Sequence, residues 1–421
     1  MPAPELRGRL GRVVSAPSPR DPEALRARYD EILADATPPF AFVDLDALRA
    51  NAEQMLGQAA GLPIRVASKS VRSLPVLRRI FELDQRFQGI LSFTLPEALF
   101  LADEGFHQIF VGYPTTDHAA LDELAAHAAK RPDAHPALMV DDAAQLDLID
   151  AAARPLGATI RVAVDIDPSW WVAGGRLARI GPKRSPIRTA DHARHLAAEI
   201  ARRDGTRLVG AMAYEGHIAG VGDDVPGRPL RSAAIRFMQG RSEAELAERL
   251  PGVIAALQEV ADLEFVNCGG TGSLARSAKL GVATELTAGS GFYAPALFDN
   301  YRSLALSPAA MFCLPVTRRP QPGVATALGG GYVASGAPGS DRLPMPYLPV
   351  GLRLDRDEGA GEVQTPLGGP GAKRLRVGDW VYLRHAKAGE LCERFDSLYL
   401  VEGGAVVDQV PTYRGAGRTF L

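Results

Sequence analysis

The sequence predicts an α/β protein, a (β/α)8 TIM-like barrel followed by a C-terminal all-β domain. Three observations predict it. Short apolar runs alternate with amphipathic helical patterns from about residue 64 to 290. The strand candidates in that stretch number eight, which is what closes such a barrel. After residue 300 the pattern changes to Gly- and Pro-rich sequence with short β-like runs.

The strands are expected over Ile64–Ser68, Gly89–Phe93, Gln108–Gly112, Ala137–Val140, Thr159–Asp165, Leu208–Tyr214, Glu264–Cys268 and Ala283–Thr287. Between them, segments such as Leu74–Phe81 and Glu97–Ala102 repeat apolar residues at helical spacing. An open doubly wound sheet is the competing architecture, but no GxGxxG follows the first strand. One more strand candidate, Phe40–Asp46, precedes the series and is spare to the barrel count. In the last part, Leu328–Tyr332 and Pro344–Pro346 read as tight turns, and Trp380–Leu383 and Ser397–Val401 as strands. The expected domains are 38–300 for the barrel and 301–421 for the β-domain.

The 421 residues are 46% hydrophobic, enough for a sizeable core, and the net charge of −2 argues against a nucleic-acid binder. Cys268, Cys313 and Cys392 are far apart and odd in number, so no disulfide framework is implied. Met1–Arg7 has no apolar run after its charges, and no stretch is long and apolar enough to span a bilayer. A cytoplasmic enzyme acting on a small molecule, without nucleic-acid or membrane partners, is the expectation.

Its chemistry centres on Lys69, which the run Ile64-Arg65-Val66-Ala67-Ser68 delivers to a strand's C-terminal end. Barrel chemistry sits where strands end. A lysine there, partly desolvated, is expected to have a lowered pKa and to act as an amine nucleophile toward an aldehyde cofactor. Position alone makes it a surface lysine; distant motifs change that reading.

Asn267–Ser273, with Gly270 and Thr271, follows the seventh strand, and Thr287–Tyr293, with Gly289 and Ser290, follows the eighth. Glycines let the backbone approach an anion closely, and hydroxyls add donors. Phosphate sites in such barrels are built from the loops after strands seven and eight. Either loop alone is a tight turn; together they suggest a phosphate monoester. Tyr214-Glu215-Gly216-His217 ends the sixth strand, where a tyrosine and a histidine stack on a ring or exchange a proton. Arg176 and Arg179 lie in the loop after the fifth strand, either one placed to face the barrel mouth or to form a surface ion pair. His385, Lys387, Glu390, Cys392 and Glu393 mix metal-ligand types at a spacing that matches no standard zinc pattern. Lysine, phosphate loops and ring-facing groups together suit pyridoxal 5′-phosphate.

Here the chain resembles the fold-type III pyridoxal-phosphate enzymes with an alanine-racemase-like N-terminal barrel. It is most similar to the D-threonine aldolase and D-serine dehydratase-like branch, which includes amino acid deaminase/aldolase sequences. The residues that carry the resemblance are Phe42–Leu48, Arg65–Lys69 with Arg72 and Pro75, and Pro96-Glu97-Ala98 with Leu101, Ala102 and Gly105. Val164-Asp165 with Arg179 and Gly181, Tyr214–His217, Gly269–Thr271 and Phe298–Tyr301 complete the series, over roughly 38–301.

The resemblance implies that the spare strand, with the N-terminal segment 1–46, joins the β-domain. It implies a homodimer, a Lys69 Schiff base, Arg179 as the partner of the pyridine nitrogen, and Tyr214, Gly270, Thr271, Gly289 and Ser290 around the cofactor. It also implies catalytic roles for His217 and His385. The implied activity is a lyase acting on a β-hydroxy-D-amino acid, by aldol cleavage or dehydration. An amino-acid racemase and a non-catalytic cofactor-binding protein are the alternatives.

Two departures stand out. The family carries a close His-x-Cys or His-x-Asp pair for a divalent metal, but here Lys387 stands two residues after His385. Cys392, Glu390 or Glu393 then completes a site with His385, or Lys387 itself supplies the positive charge. Thr287-Ala288 stands where relatives have Arg-Pro.

Overall fold

A computed structural model describes residues 21–337 and 339–421. The reading of Met1–Arg7 lies outside the described residues. Eight parallel strands close a barrel: β2 (Ile64–Ala67), β3 (Phe87–Ser92), β4 (Ile109–Val111), β5 (Ala137–Val140), β6 (Ile160–Asp165), β9 (Thr206–Ala213), β10 (Phe265–Cys268) and β11 (Glu285–Ala288). Each overlaps its expected segment. The strand numbering follows the chain and includes β1 (Phe40–Asp44) and the short antiparallel pair β7 (Trp170–Val172) and β8 (Ala178–Ile180). That pair was read from the sequence as plain loop.

The helices start where local chemistry allows. Asp44, Thr94, Asp117 and Thr189 each accept a backbone N–H of the following helix's first turn, and Asp142 forms a capping box with Gln145. Pro75 and Pro96 stand in first turns, where the missing N–H costs nothing. The long helix Pro229–Gln258 carries Pro251 in its interior. No helix among the described residues is long and apolar enough to cross a membrane.

Because strand side chains alternate in direction, one set packs against the helices and the other fills the barrel. The inner set is a cluster of Phe110, Ala137, Met139, Ala163, Val209, Met212 and Phe265, with Leu91 and Tyr214 at its edge. Arg65 and Glu285 also lie buried in the barrel, paired at 2.6 and 2.9 Å, and Asn267 donates to Glu285 at 2.7 Å. Thr287 donates to Asn267 at 2.9 Å, which extends this polar chain to the barrel mouth.

The second sheet is built from β12 (Ala310–Gln321), β13 (Val324–Leu328), β14 (Met345–Leu348), β15 (Arg353–Leu354), β16 (Gln364–Gly368), β17 (Trp380–Arg384), β18 (Ser397–Glu402) and β19 (Ala405–Pro411). The spare strand β1 lies within it, antiparallel to β12 and parallel to β18, and every one of its residues is buried. Helix Pro22–Ile32 packs over the same sheet through Tyr29, whose hydroxyl donates to Asp44 at 2.9 Å.

Candidate active site

A cavity of about 1090 Å³ opens at the C-terminal ends of the barrel strands, walled on one side by loops of the second sheet. Lys69 is the second residue after β2, on the short turn Ser68–Ser70. Its side chain is exposed to the open cavity rather than partly desolvated as expected from the sequence. Its Nζ donates to the Tyr113 hydroxyl at 2.8 Å.

The turn holding Lys69 is clasped from below. Arg72 adopts φ +49°, and its Nε donates back to the Lys69 carbonyl at 3.0 Å while the guanidinium pairs with Glu393. Ser68 is fully buried and donates to the Leu91 carbonyl at 3.2 Å. Beneath them Glu97 is fully buried, accepting from Phe93 N–H at 2.8 Å and from the Tyr413 hydroxyl at 3.0 Å. Burial raises its carboxyl to about 7.

Tyr113 was missed in the sequence. It is the second residue after β4, as Lys69 is after β2, so the strand-end rule that selected Lys69 also selects it. Burial pushes its phenol up, but the charge and hydrogen bond of Lys69 and the charge of Arg184 outweigh that, and the net shift is downward. Arg184, also missed, lies 5.7 Å from the Tyr113 ring and 5.3 Å from the Tyr214 ring.

Arg179 does not join them. It sits on β8, exposed, with its guanidinium stacked 4.0 Å from the Trp171 ring, and it does not line the cavity. The β7–β8 hairpin turns it away, so the cavity's arginine on this segment is Arg184, five residues on.

Tyr214, Gly270, Thr271, Gly289 and Ser290 all line the cavity as expected. Thr271 accepts from Gly291 N–H at 3.1 Å and faces the Ser290 hydroxyl at 3.5 Å, so the loops after β10 and β11 are joined side by side. A Cβ at Gly289 would sit 2.7 Å from the Ala67 carbonyl oxygen; only glycine brings this loop against the Lys69 turn. Buried Glu215 ties the Tyr214 segment to the same loops, accepting from Ser273 at 2.7 Å, from Gly269 N–H at 3.3 Å and from Ser277. Burial raises the Tyr214 phenol to about 12.

His217 lines the cavity but is buried, with Nε2 2.5 Å from Ser242 Oγ and Nδ1 without a partner. Burial lowers its imidazole to about 4, so it is neutral near pH 7 rather than poised to titrate there.

The proposed metal ligands do not converge. His385 is buried and does not line the cavity, and neither ring nitrogen has a hydrogen-bond partner among the described residues. Burial lowers it to about 3. Cys392 is buried too, its thiol donating to the Val71 carbonyl at 3.3 Å, and burial raises it to about 12. Among the described residues, the metal-type ligands that do cluster are Asp103, Glu123 and His127, none of which lines the cavity. The residue that reaches the cavity from this loop is Lys387, along with Glu390 and Glu393.

Comparisons place this geometry among known proteins. The model of the family "Alanine racemase, N-terminal domain" matches residues 43–277. A 3-hydroxy-D-aspartate aldolase of Paracoccus denitrificans (strain Pd 1222) is 26% identical over 254 residues, 60% of this chain and 59% of that protein. The aligned stretch thus spans less than two thirds of the aldolase. The structure of a D-threonine aldolase from Filomicrobium marinum superposes with a TM-score of 0.75 at 24% identity, covering 91% of this chain and 96% of that one. A D-threo-3-hydroxyaspartate dehydratase from Delftia sp. HT23 gives 0.71 at 20% identity, covering 90% and 98%. At these identities the structural likeness establishes the fold, barrel and second sheet together.

Proposed function

The chain belongs to the alanine racemase N-terminal-domain family, and from that premise we propose a pyridoxal-phosphate-dependent lyase acting on a β-hydroxy-D-amino acid, of the D-threonine aldolase or D-serine/D-threonine dehydratase type. The observation that carries this reading is the meeting of Lys69 with two glycine–hydroxyl loops in one barrel mouth. The resemblance to the lyases named above supports the substrate class.

The residues present fit the cofactor. Lys69 would hold it through the ε-amine, and the loops at Gly270–Thr271 and Gly289–Ser290, which line the same cavity, would take its phosphate. When bound, pyridoxal phosphate supplies an aldehyde for the substrate amine and a ring that withdraws electrons from its α-carbon. Tyr113 is placed to accept or return a proton at Lys69 Nζ. Arg184 contributes a fixed positive charge beside both tyrosine rings. His217, neutral and bonded to Ser242, serves as a ring-packing and hydrogen-bonding wall. Thr287 presents its hydroxyl oxygen at the cavity floor, held by Asn267.

The proposal includes a division into a barrel at 38–300 and a β-domain at 301–421 joined by the N-terminal segment, and a homodimer, testable by sedimentation. The activity test is the product formed from purified protein, pyridoxal phosphate and D-threonine. Glycine with acetaldehyde identifies an aldolase, and 2-oxobutanoate with ammonia a dehydratase. L-allo-threonine as the product would replace the lyase reading with a racemase.

A further inference from the structure

The relatives' fold carries the expectation of a divalent metal beside the substrate's side-chain oxygen, and this chain's residues do not fit one. His385 is buried and does not line the cavity, Cys392 is bonded to the Val71 carbonyl, and no third ligand-type atom groups with them among the described residues. What occupies that side of the cavity is an ammonium. Lys387 Nζ donates to the Ser335 carbonyl at 3.2 Å, and among the described residues no carboxylate lies within ion-pair distance of it. Glu390, an acid on the same loop, is held by Ser335, its Oε1 accepting from the Ser335 N–H at 3.1 Å and hydroxyl at 2.8 Å, while its Oε2 has no hydrogen-bond partner among the described residues. Arg342, paired with Asp341 at 3.0 Å, adds a second cationic side chain to the same wall, which disfavours a divalent ion there.

The loop is also locked to the cofactor-binding turn. Gly389 adopts φ +97°, and a Cβ there would stand 2.5 Å from the Lys69 carbonyl oxygen. Glu393, from the same loop, pairs with Arg72 under that turn. Lys387 is therefore held at a defined place relative to Lys69, not carried on a free surface loop.

We propose that the Lys387 ammonium binds the substrate's β-oxygen in place of a metal ion, so that this enzyme recognises β-hydroxy amino acids without a divalent cation. The inference rests on the cofactor and substrate reading given above.

The experiment uses the full-length enzyme loaded with pyridoxal phosphate and stripped with a chelator. Binding is read from the cofactor's absorbance on titration with D-threonine and with D-alanine, which lacks the β-oxygen. Turnover of D-threonine is followed with and without added Mn2+ or Mg2+. Expected are turnover unchanged within about twofold by chelation, and, in Lys387→Met, D-threonine binding weakened roughly 10- to 100-fold with D-alanine binding nearly unaltered. Lys387→Arg keeps the charge and retains most of the D-threonine affinity, which separates charge from folding. Turnover lost on chelation and restored by metal overturns the proposal while leaving the cofactor reading intact. So does a Lys387→Met enzyme that weakens both ligands equally or neither. A wild-type absorbance that does not depend on Lys69 overturns the cofactor reading and this inference with it.

Discussion

Lys69 Nζ and the Tyr113 hydroxyl lie 2.8 Å apart, each carried by the second residue after a barrel strand. The pair joins the amine proposed to hold the cofactor to a phenol whose net shift is downward under the charges of Lys69 and Arg184, against the effect of burial. Lys69→Ala should abolish the cofactor's visible absorbance and all turnover. Tyr113→Phe should keep the absorbance and lower turnover by about 100-fold or more, with the basic limb of the pH–rate profile moved. Spectra of the two variants, taken beside rates, check both halves.

Arg184 lines the cavity and Arg179 does not. Arg184→Ala should weaken pyridoxal-phosphate affinity by about tenfold or more, as loss of a charge near the cofactor does. Arg179→Ala should change it by less than about twofold, since that guanidinium stacks on Trp171 outside the cavity. Fluorescence titration of the two apo-enzymes with cofactor measures the difference.

Glu97 makes stability depend on pH. Its folded-state value of about 7 lies above the ordinary 4.5, because burial penalises the charged form. The folded state holds the proton more tightly, so this contribution is full below about pH 4.5 and is lost as pH rises through about 7. The loss is on the order of 3 kcal/mol at most. Urea unfolding at pH 5 and pH 8 should show wild type losing stability over that interval, and Glu97→Gln losing markedly less. Equal losses in both proteins would remove Glu97 as the cause.

The buried Arg65–Glu285 pair, with both side chains under 10% exposed, predicts a non-additive response. Glu285→Leu alone strands a guanidinium in the barrel and should cost about 3–5 kcal/mol. The double variant Arg65→Met/Glu285→Leu should recover much of that, because no uncompensated charge remains. Denaturant melts of the single and double variants form the cycle. The same substitutions release Asn267 and therefore Thr287 at the cavity floor, so their effect should extend to cofactor affinity.

Much of this site was legible in the chain because strand-end chemistry is local. Lys69, Gly270, Thr271, Gly289 and Ser290 each stand within a few residues of an apolar run, and each lines the cavity. The same rule, applied after Gln108–Gly112, would have found Tyr113. Arg179 failed because its distance from β6 in sequence says nothing about the β7–β8 hairpin that turns it outward. His385 and Cys392 failed for a related reason: metal-ligand residue types in one short segment do not show which side chains point inward. The turn that follows β17 buries His385 and leaves Lys387 at the cavity wall.

The sequence by itself determined the eight-strand alternation, the spare strand outside it, and the lysine and glycine loops at strand ends. Those follow from local periodicity and short-range backbone needs, which the chain carries residue by residue. Only the tertiary structure decided which distant charges meet. Glu97 beneath Lys69 and Arg184 between two tyrosines each depend on contacts between segments far apart in sequence. Burial, which raises the Glu97 carboxyl, is a property of packing in three dimensions and has no signature in the order of residues.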